Sequence, residues 1–215
     1  MLRGTLLRIT AAWLVFIAML QGAVAAGADG SIPKRHAISF FAGQATWASF
    51  TPSIYEPWNN DYTPIGVLAL AYSYRLGSVN SITGLALPGV IGNHVHIEGE
   101  AGTSVRLGDE HLMEGWGAAY LRFDDFPWND IIYTTVAVNT GVSFLNKDSQ
   151  FEQERDSSKG SQLLHYMGPE ITFASPNNKN LELLVRWHHR SGVFGLFDGV
   201  YAGSTFVAGG VRFRM

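Results

Sequence analysis

The chain has no cysteine, so neither a disulfide framework nor a thiolate metal site is available to it. Charge is scarce as well: Asp, Glu, Lys and Arg make up 15% of 215 residues, against about 25% in an ordinary soluble domain. There is no apolar run near the length of about 20 residues that a membrane-spanning helix needs. The longest, Ile9 to Leu20, falls well short. HExxH zinc-protease spacing, a Gly-x-Ser-x-Gly nucleophile elbow and a phosphate-binding glycine loop are also lacking. The net charge of −3 argues against nucleic acid as a partner.

What is present reads first as an address. Arg3 and Arg8 make a positive n-region, Ile9 to Leu20 a short apolar core, and Ala23-Val24-Ala25 the small residues a signal peptidase needs. Residues 1–25 are therefore expected to be a signal peptide and 26–215 a single mature domain. That domain is rich in aromatics (13%) and in glycine (24 residues). Few charges, many aromatics and no long apolar run suit a membrane barrel with a lipid-facing band and aromatic girdles.

Two-residue alternation, the mark of a strand with unlike faces, recurs along the chain. It predicts strands at 37–47, 65–76, 94–101, 114–123, 132–144, 163–173, 181–191 and 205–215. In the third, Val95, Ile97, Gly99 and Ala101 alternate with His94, His96, Glu98 and Glu100. The seventh sets Leu181, Leu183, Val185 and Trp187 against Glu182, Arg186, His188 and Arg190. The expected fold is all-β, an eight-stranded antiparallel transmembrane barrel in the bacterial outer membrane, apolar outside and polar within. A soluble lipocalin-like barrel is the rival, since its strands alternate too.

An even strand number puts both ends on the periplasmic side. The segments 48–64, 102–113, 145–162 and 192–204 then become the outer loops, with turns at 124–131 and 174–180. The segment 77–93 is too long for an ordinary turn. Trp116, Trp128 and Trp187 read as interface aromatics. His94, His96, Glu98 and Glu100 share a strand face that could hold a metal, but a polar lumen accounts for such a row, and no metal or other cofactor is expected.

Chemistry concentrates in Arg186-Trp187-His188-His189-Arg190-Ser191-Gly192. Residues i and i+2 of a strand point the same way, about 7 Å apart, so His189 and Ser191 are neighbours. A serine beside an imidazole is the minimum arrangement for acyl transfer. Both continue the face of Leu183, Val185 and Trp187, which is the lipid face, at the outer end of the strand. Polar residues are also comfortable at headgroup level with nothing to catalyse.

The run His189-Arg190-Ser191 resembles the His-x-Ser element of the lipid A 3-O-deacylase (PagL-like) family. Phe126 to Asn129, Thr134 to Phe144, Leu164 to Phe173 and Ile97 to Gly102 are similar to the broader acyloxyacyl hydrolase branch. The resemblance implies an outer-membrane esterase that removes an ester-linked acyl chain from lipid A, with Ser191 as nucleophile and His189 as base. It also implies lipopolysaccharide and the membrane as partners; a homodimer is left open. Where the family carries an asparagine after the serine, this chain has Gly192, whose backbone N–H is the candidate oxyanion donor. Where the family carries its glutamate, the chain has Gly203, and Asp198 is the one carboxylate after Ser191. Asp198 is thus the candidate third member. The alternative is a non-catalytic barrel serving adhesion, envelope integrity or small-solute passage.

Overall fold

The computed structural model describes residues 34–85, 87, 89–155 and 159–215. The expected signal peptide lies outside these. Nine β-segments form one antiparallel sheet that closes on itself: β1 (His36–Thr46), β2 (Tyr62–Ser78), β3 (Val95–Gly108), β4 (Met113–Phe123), β5 (Tyr133–Leu145), β6 (Leu163–Met167), β7 (Glu170–Ser175), β8 (Asn178–Ser191) and β9 (Thr205–Arg214). β9 pairs with β1, so no edge remains. β6 and β7 both run between β5 and β8 and fill one position in the wall. The interruption falls at Gly168-Pro169, where proline has no N–H to give the ladder. The barrel is therefore eight-stranded.

Alternation sets the two faces. Phe40, Leu70, Leu121, Val138, Phe144 and Leu183 stand exposed on the outer wall. Inside, Arg122, Arg186, Arg212 and Arg214 are buried together with Glu98, Glu100, Glu170 and Glu182. Glu98 alone meets Arg75, Arg122, Arg212 and Arg214 at 2.7 to 3.2 Å. Arg186 bridges Glu100 and Glu170 while its guanidinium lies over the Phe41 ring, 4.7 Å from the centroid. Apolar outside and ionic within is the reverse of a soluble barrel, which excludes the lipocalin-like alternative. With this wall the chain is an outer-membrane protein.

Several expectations are corrected. β3 runs on to Gly108, not 101, because Thr103, Val105 and Leu107 continue its outer face and Ser104 and Arg106 its inner one. Their small or charged side chains disguise strand as loop, and the expected loop 102–113 shrinks to 109–112. His94 does not join the lumen row: it ends a short helix, and its half-exposed ring faces Asp124 and Asp125. Trp116 is no interface residue. It shares the inward parity of Glu114 and Tyr120 and donates its indole N–H to Glu100 within the lumen.

The segment 77–93 holds two short helices, α2 (Val79–Thr83) and α3 (Gly89–His94). At the opposite mouth, α1 (Phe50–Tyr55) follows β1 and α4 (Gln150–Arg155) follows β5. α4 caps the lumen: its Glu152 is fully buried and takes ion pairs from Arg106 and Arg190. Arg155 donates to the carbonyls of Thr46 and Ala48, which fastens α4 to the start of the β1–β2 loop.

Candidate functional site

His189 and Ser191 lie on the outer face of β8 at its outer end, as alternation requires: Arg186, His188 and Arg190 point inward and are fully buried. His188 is thereby removed from the surface chemistry; its Nε2 lies 2.9 Å from Glu114. Antiparallel register brings further groups to the outer row. His189 stands opposite Thr205 of β9 and Met167 of β6, and Ser191 opposite His165.

The imidazole of His189 is fixed on two sides. Its Nδ1 is 2.9 Å from the Thr205 hydroxyl. The Phe50 ring of α1 stacks on it, centroids 4.4 Å apart and planes 26° from parallel. α1 is held there in turn by Trp187, whose indole N–H donates to the Ser53 carbonyl at 2.9 Å. The helix therefore lies on the outside of the barrel over β8, and Thr205, though its parity is outward, is completely buried.

Ser191 Oγ accepts the backbone N–H of Val193 at 3.1 Å. Among the described residues, the hydrogen bonds take His189 and Ser191 to these separate partners and do not join them directly. Their adjacency on one face is nonetheless what the spacing predicts. The loop that follows is backbone-strained. Val193 and Phe194 have φ of 51° and 55°, and Asp198 has 55°. The left-handed region costs a β-branched residue such as Val193 most, and each such position stores about 1–3 kcal/mol.

Gly192, expected as an oxyanion donor, is buried with its N–H directed to the Ala202 carbonyl at 3.3 Å. The N–H at the serine oxygen belongs to Val193 instead. Asp198, expected to orient His189, is exposed on the loop, and the structure gives Nδ1 to Thr205. Gly203 has no room for any side chain: a Cβ there would sit 1.9 Å from the Arg190 carbonyl oxygen.

Sequence reasoning missed Thr205, His165 and Phe50. Thr205 and His165 follow only from register between strands, which no single-chain periodicity reveals. Phe50 depends on where a loop helix lands. His165 is an outward residue whose Nε2 lies 2.9 Å from the Thr140 hydroxyl, in a shallow depression walled by Gly117, Ala119 and Phe197.

No protein-family model matches this chain, and no curated protein does. Solved structures do. The outer-membrane enzyme PagL superposes with a TM-score of 0.55 at 13% identity, over 83% of this chain and 99% of that one. The chain has an outer-membrane β-barrel fold. Neisserial surface protein A is similar at a TM-score of 0.47 and 11% identity, over 88% of this chain and 99% of its own. The N-terminal barrel of Pseudomonas aeruginosa OprF follows at 0.43 and 9%, over 86% of this chain and 100% of that one.

At the mouth that holds both ends of the barrel's chain, Asp124 gathers His96 at 2.9 Å and Arg75 at 3.4 Å. Burial raises the Asp124 carboxyl, but the hydrogen bond from His96 and the nearby charges of His96 and Arg75 outweigh it and hold the group below its ordinary value. This cluster ties the β4–β5 turn to the barrel and lies at the end opposite Ser191.

Proposed function

We propose that this chain is an outer-membrane esterase that removes an ester-linked acyl chain from lipid A, with Ser191 as nucleophile and His189 as base. The observation that carries the reading is placement. A serine and an imidazole share the lipid-facing side of one strand at its outer end, where the ester linkages of an outer-leaflet lipid lie. A clamped imidazole on a lipid wall is costly to build without a use. The resemblance of His189-Arg190-Ser191 to the deacylase element points the same way.

The chemistry is ordinary acyl transfer. Ser191 turns from the Val193 N–H toward His189 and gives its proton to Nε2 as Oγ bonds to the ester carbonyl. The tetrahedral oxyanion collapses, the bond between the acyl carbon and the sugar oxygen breaks, and the imidazolium returns the proton to that oxygen, which leaves as the sugar's hydroxyl. Water, deprotonated by the same imidazole, then releases the fatty acid from Ser191. The Val193 N–H, already directed at Ser191, is a backbone donor for the oxyanion. Apo hydrogen bonds at such sites are commonly loose and tighten with substrate.

Mass spectrometry of lipid A from cells expressing the parent chain or Ser191→Ala tests the reading. Loss of one acyl mass with the parent alone supports it. Unchanged lipid A in both, with the barrel folded in the outer membrane, overturns it. That result would favour the second reading, a non-catalytic barrel in adhesion or envelope integrity. Trp58 and Phe194, 82% and 90% exposed on the outer loops, favour such a binding role. Solute passage fits less well, because the lumen is filled by buried Arg–Glu pairs.

A further inference from the structure

We propose that Thr205 is the positioning residue of His189: its hydroxyl accepts the Nδ1–H and so leaves the Nε2 lone pair free for Ser191. This rests on the esterase reading above and gives the third member's place to Thr205 rather than to Asp198, the candidate the sequence offers.

Four observations converge on it. The β8–β9 register sets Thr205 directly opposite His189. Its Oγ1 is 2.9 Å from Nδ1. The side chain is completely buried, so water does not compete for the ring nitrogen. Threonine is stiff at χ1 because it is β-branched, and the stacked Phe50 ring fixes the imidazole plane on the other side. The hydroxyl and the ring are therefore held in one geometry before substrate arrives.

Neither alternative makes this contact. Gly203, where a carboxylate would be sought, has the Arg190 carbonyl oxygen 1.9 Å from the site of its Cβ. Asp198 is exposed on the far part of a strained loop. Two residues beyond Gly203, the chain enters β9 and its first side chain meets His189.

A hydroxyl differs from a carboxylate in what it does for a base. Both aim Nε2, but a carboxylate can only accept and so imposes the Nδ1–H tautomer, whereas a hydroxyl can also donate and serves the base only when it accepts. Only the carboxylate adds a full negative charge to stabilise imidazolium. Thr205 thus supplies orientation without that charge or that strict choice of tautomer, and the reaction is correspondingly slower at each turnover than with a carboxylate partner.

The test uses the full barrel in detergent micelles with purified lipid A as substrate, comparing parent, Thr205→Val, Thr205→Ser and Ser191→Ala. Valine keeps the shape and removes the hydroxyl; serine restores it. Thr205→Val is expected to lower kcat by about 10- to 100-fold, up to the lower end of the roughly 10²–10⁴-fold that the base itself contributes, with KM little changed. Thr205→Ser should recover most of it.

Nitrogen-15 NMR of histidine-labelled protein, with the His189 signal assigned by its loss in His189→Gln, gives a readout that a merely structural role would not move. The parent and Thr205→Ser should show the Nδ1–H tautomer, and Thr205→Val a shift toward Nε2–H. An Nε2–H tautomer in the parent, or a tautomer unmoved by Thr205→Val, overturns the role of Thr205 alone. Full kcat in Thr205→Val, beside its loss in Ser191→Ala, overturns that role as well. Absence of hydrolysis by the parent overturns the esterase reading itself, and the role with it.

Discussion

Glu98→Gln should weaken the barrel more than any single change on its outer wall. The Glu98 carboxylate sits among four arginines: Arg212 at 2.7 Å, Arg122 at 3.0 Å, and Arg75 and Arg214 both at 3.2 Å. Glutamine keeps the volume and removes the charge. Breaking a buried ion pair by removing one partner costs about 3–5 kcal/mol, because the other charge is left uncompensated. Here each arginine keeps a second carboxylate: Asp124 for Arg75, Glu170 for Arg122, Glu182 for Arg214, and both Glu170 and Glu182 for Arg212. The cost therefore falls at the lower end, about 3 kcal/mol, or roughly a hundredfold in the folding equilibrium. Urea titration of the barrel in phospholipid vesicles, followed by tryptophan fluorescence and by the heat-dependent shift of the folded band on gels, measures it. Glu98→Gln combined with Arg214→Met should lose less than the two single changes together, since the second removes one of the stranded charges. A loss under about 1 kcal/mol for Glu98→Gln would match an exposed pair. It would mean that the lumen is wet, and the argument from buried charge would fail.

The remaining predictions concern the two ends of the barrel. Asp124 has its carboxyl held below the ordinary value of 3.8 in the folded state, so its contribution to stability is present above that pH and is lost as pH falls through the lower folded value. Unfolding titrations from pH 7 to pH 2 should show a smaller acid-side loss in Asp124→Asn than in the parent, the lumen carboxylates supplying the remainder; the same slope in both would remove Asp124 from the account. Gly203→Glu, which places a carboxylate where the deacylase pattern that the sequence resembles has one, should lower activity rather than raise it. Its Cβ would meet the Arg190 carbonyl oxygen at 1.9 Å, overpacking worth about 1–3 kcal/mol in the strand that carries His189 and Ser191. Higher lipid A hydrolysis by Gly203→Glu would show that the loop accommodates it and that Thr205 is not the group His189 needs.

Much of the fold was legible because a barrel wall has a short period. The inward row Glu182, Arg186, His188, Arg190 of β8 and the pair Arg212, Arg214 of β9 announce themselves against aliphatic and aromatic neighbours. Where side chains are small, the signal fades. Gly102, Thr103 and Ser104 belong to a strand yet read as loop, because nothing bulky marks the outer face there. Trp116 was misplaced for a different reason. Aromatics at an interface and aromatics filling a lumen look alike until parity is traced from Glu114. At the site, neighbours along one strand were readable and neighbours across strands were not. His189 and Ser191 stand two apart in sequence, whereas Thr205 and His165 reach them only through the offsets of the β8–β9 and β6–β8 ladders.

β8 also shows how stability and surface chemistry are separated within one element. Its inward residues belong to the ionic core: Arg186 joins Glu100 and Glu170, His188 meets Glu114, and Arg190 joins Glu152 of the capping helix. Its outward residues carry Trp187, His189 and Ser191, braced from outside by Ser53, Phe50 and Thr205. A side chain changed on the outward row leaves every lumen ion pair intact, so Ser191→Ala and Thr205→Val leave the barrel core untouched. A slip of one residue in β8 exchanges the two rows. It would put Arg190 into lipid and His189 into the lumen, and that cost is what holds the two candidate catalytic side chains on the membrane face. The strained turn at Val193 and Phe194 lies beyond the last ladder bonds of β8. On the esterase reading, the backbone that would adjust around a tetrahedral intermediate is therefore outside the rigid wall, while the proposed base, His189, is anchored to that wall.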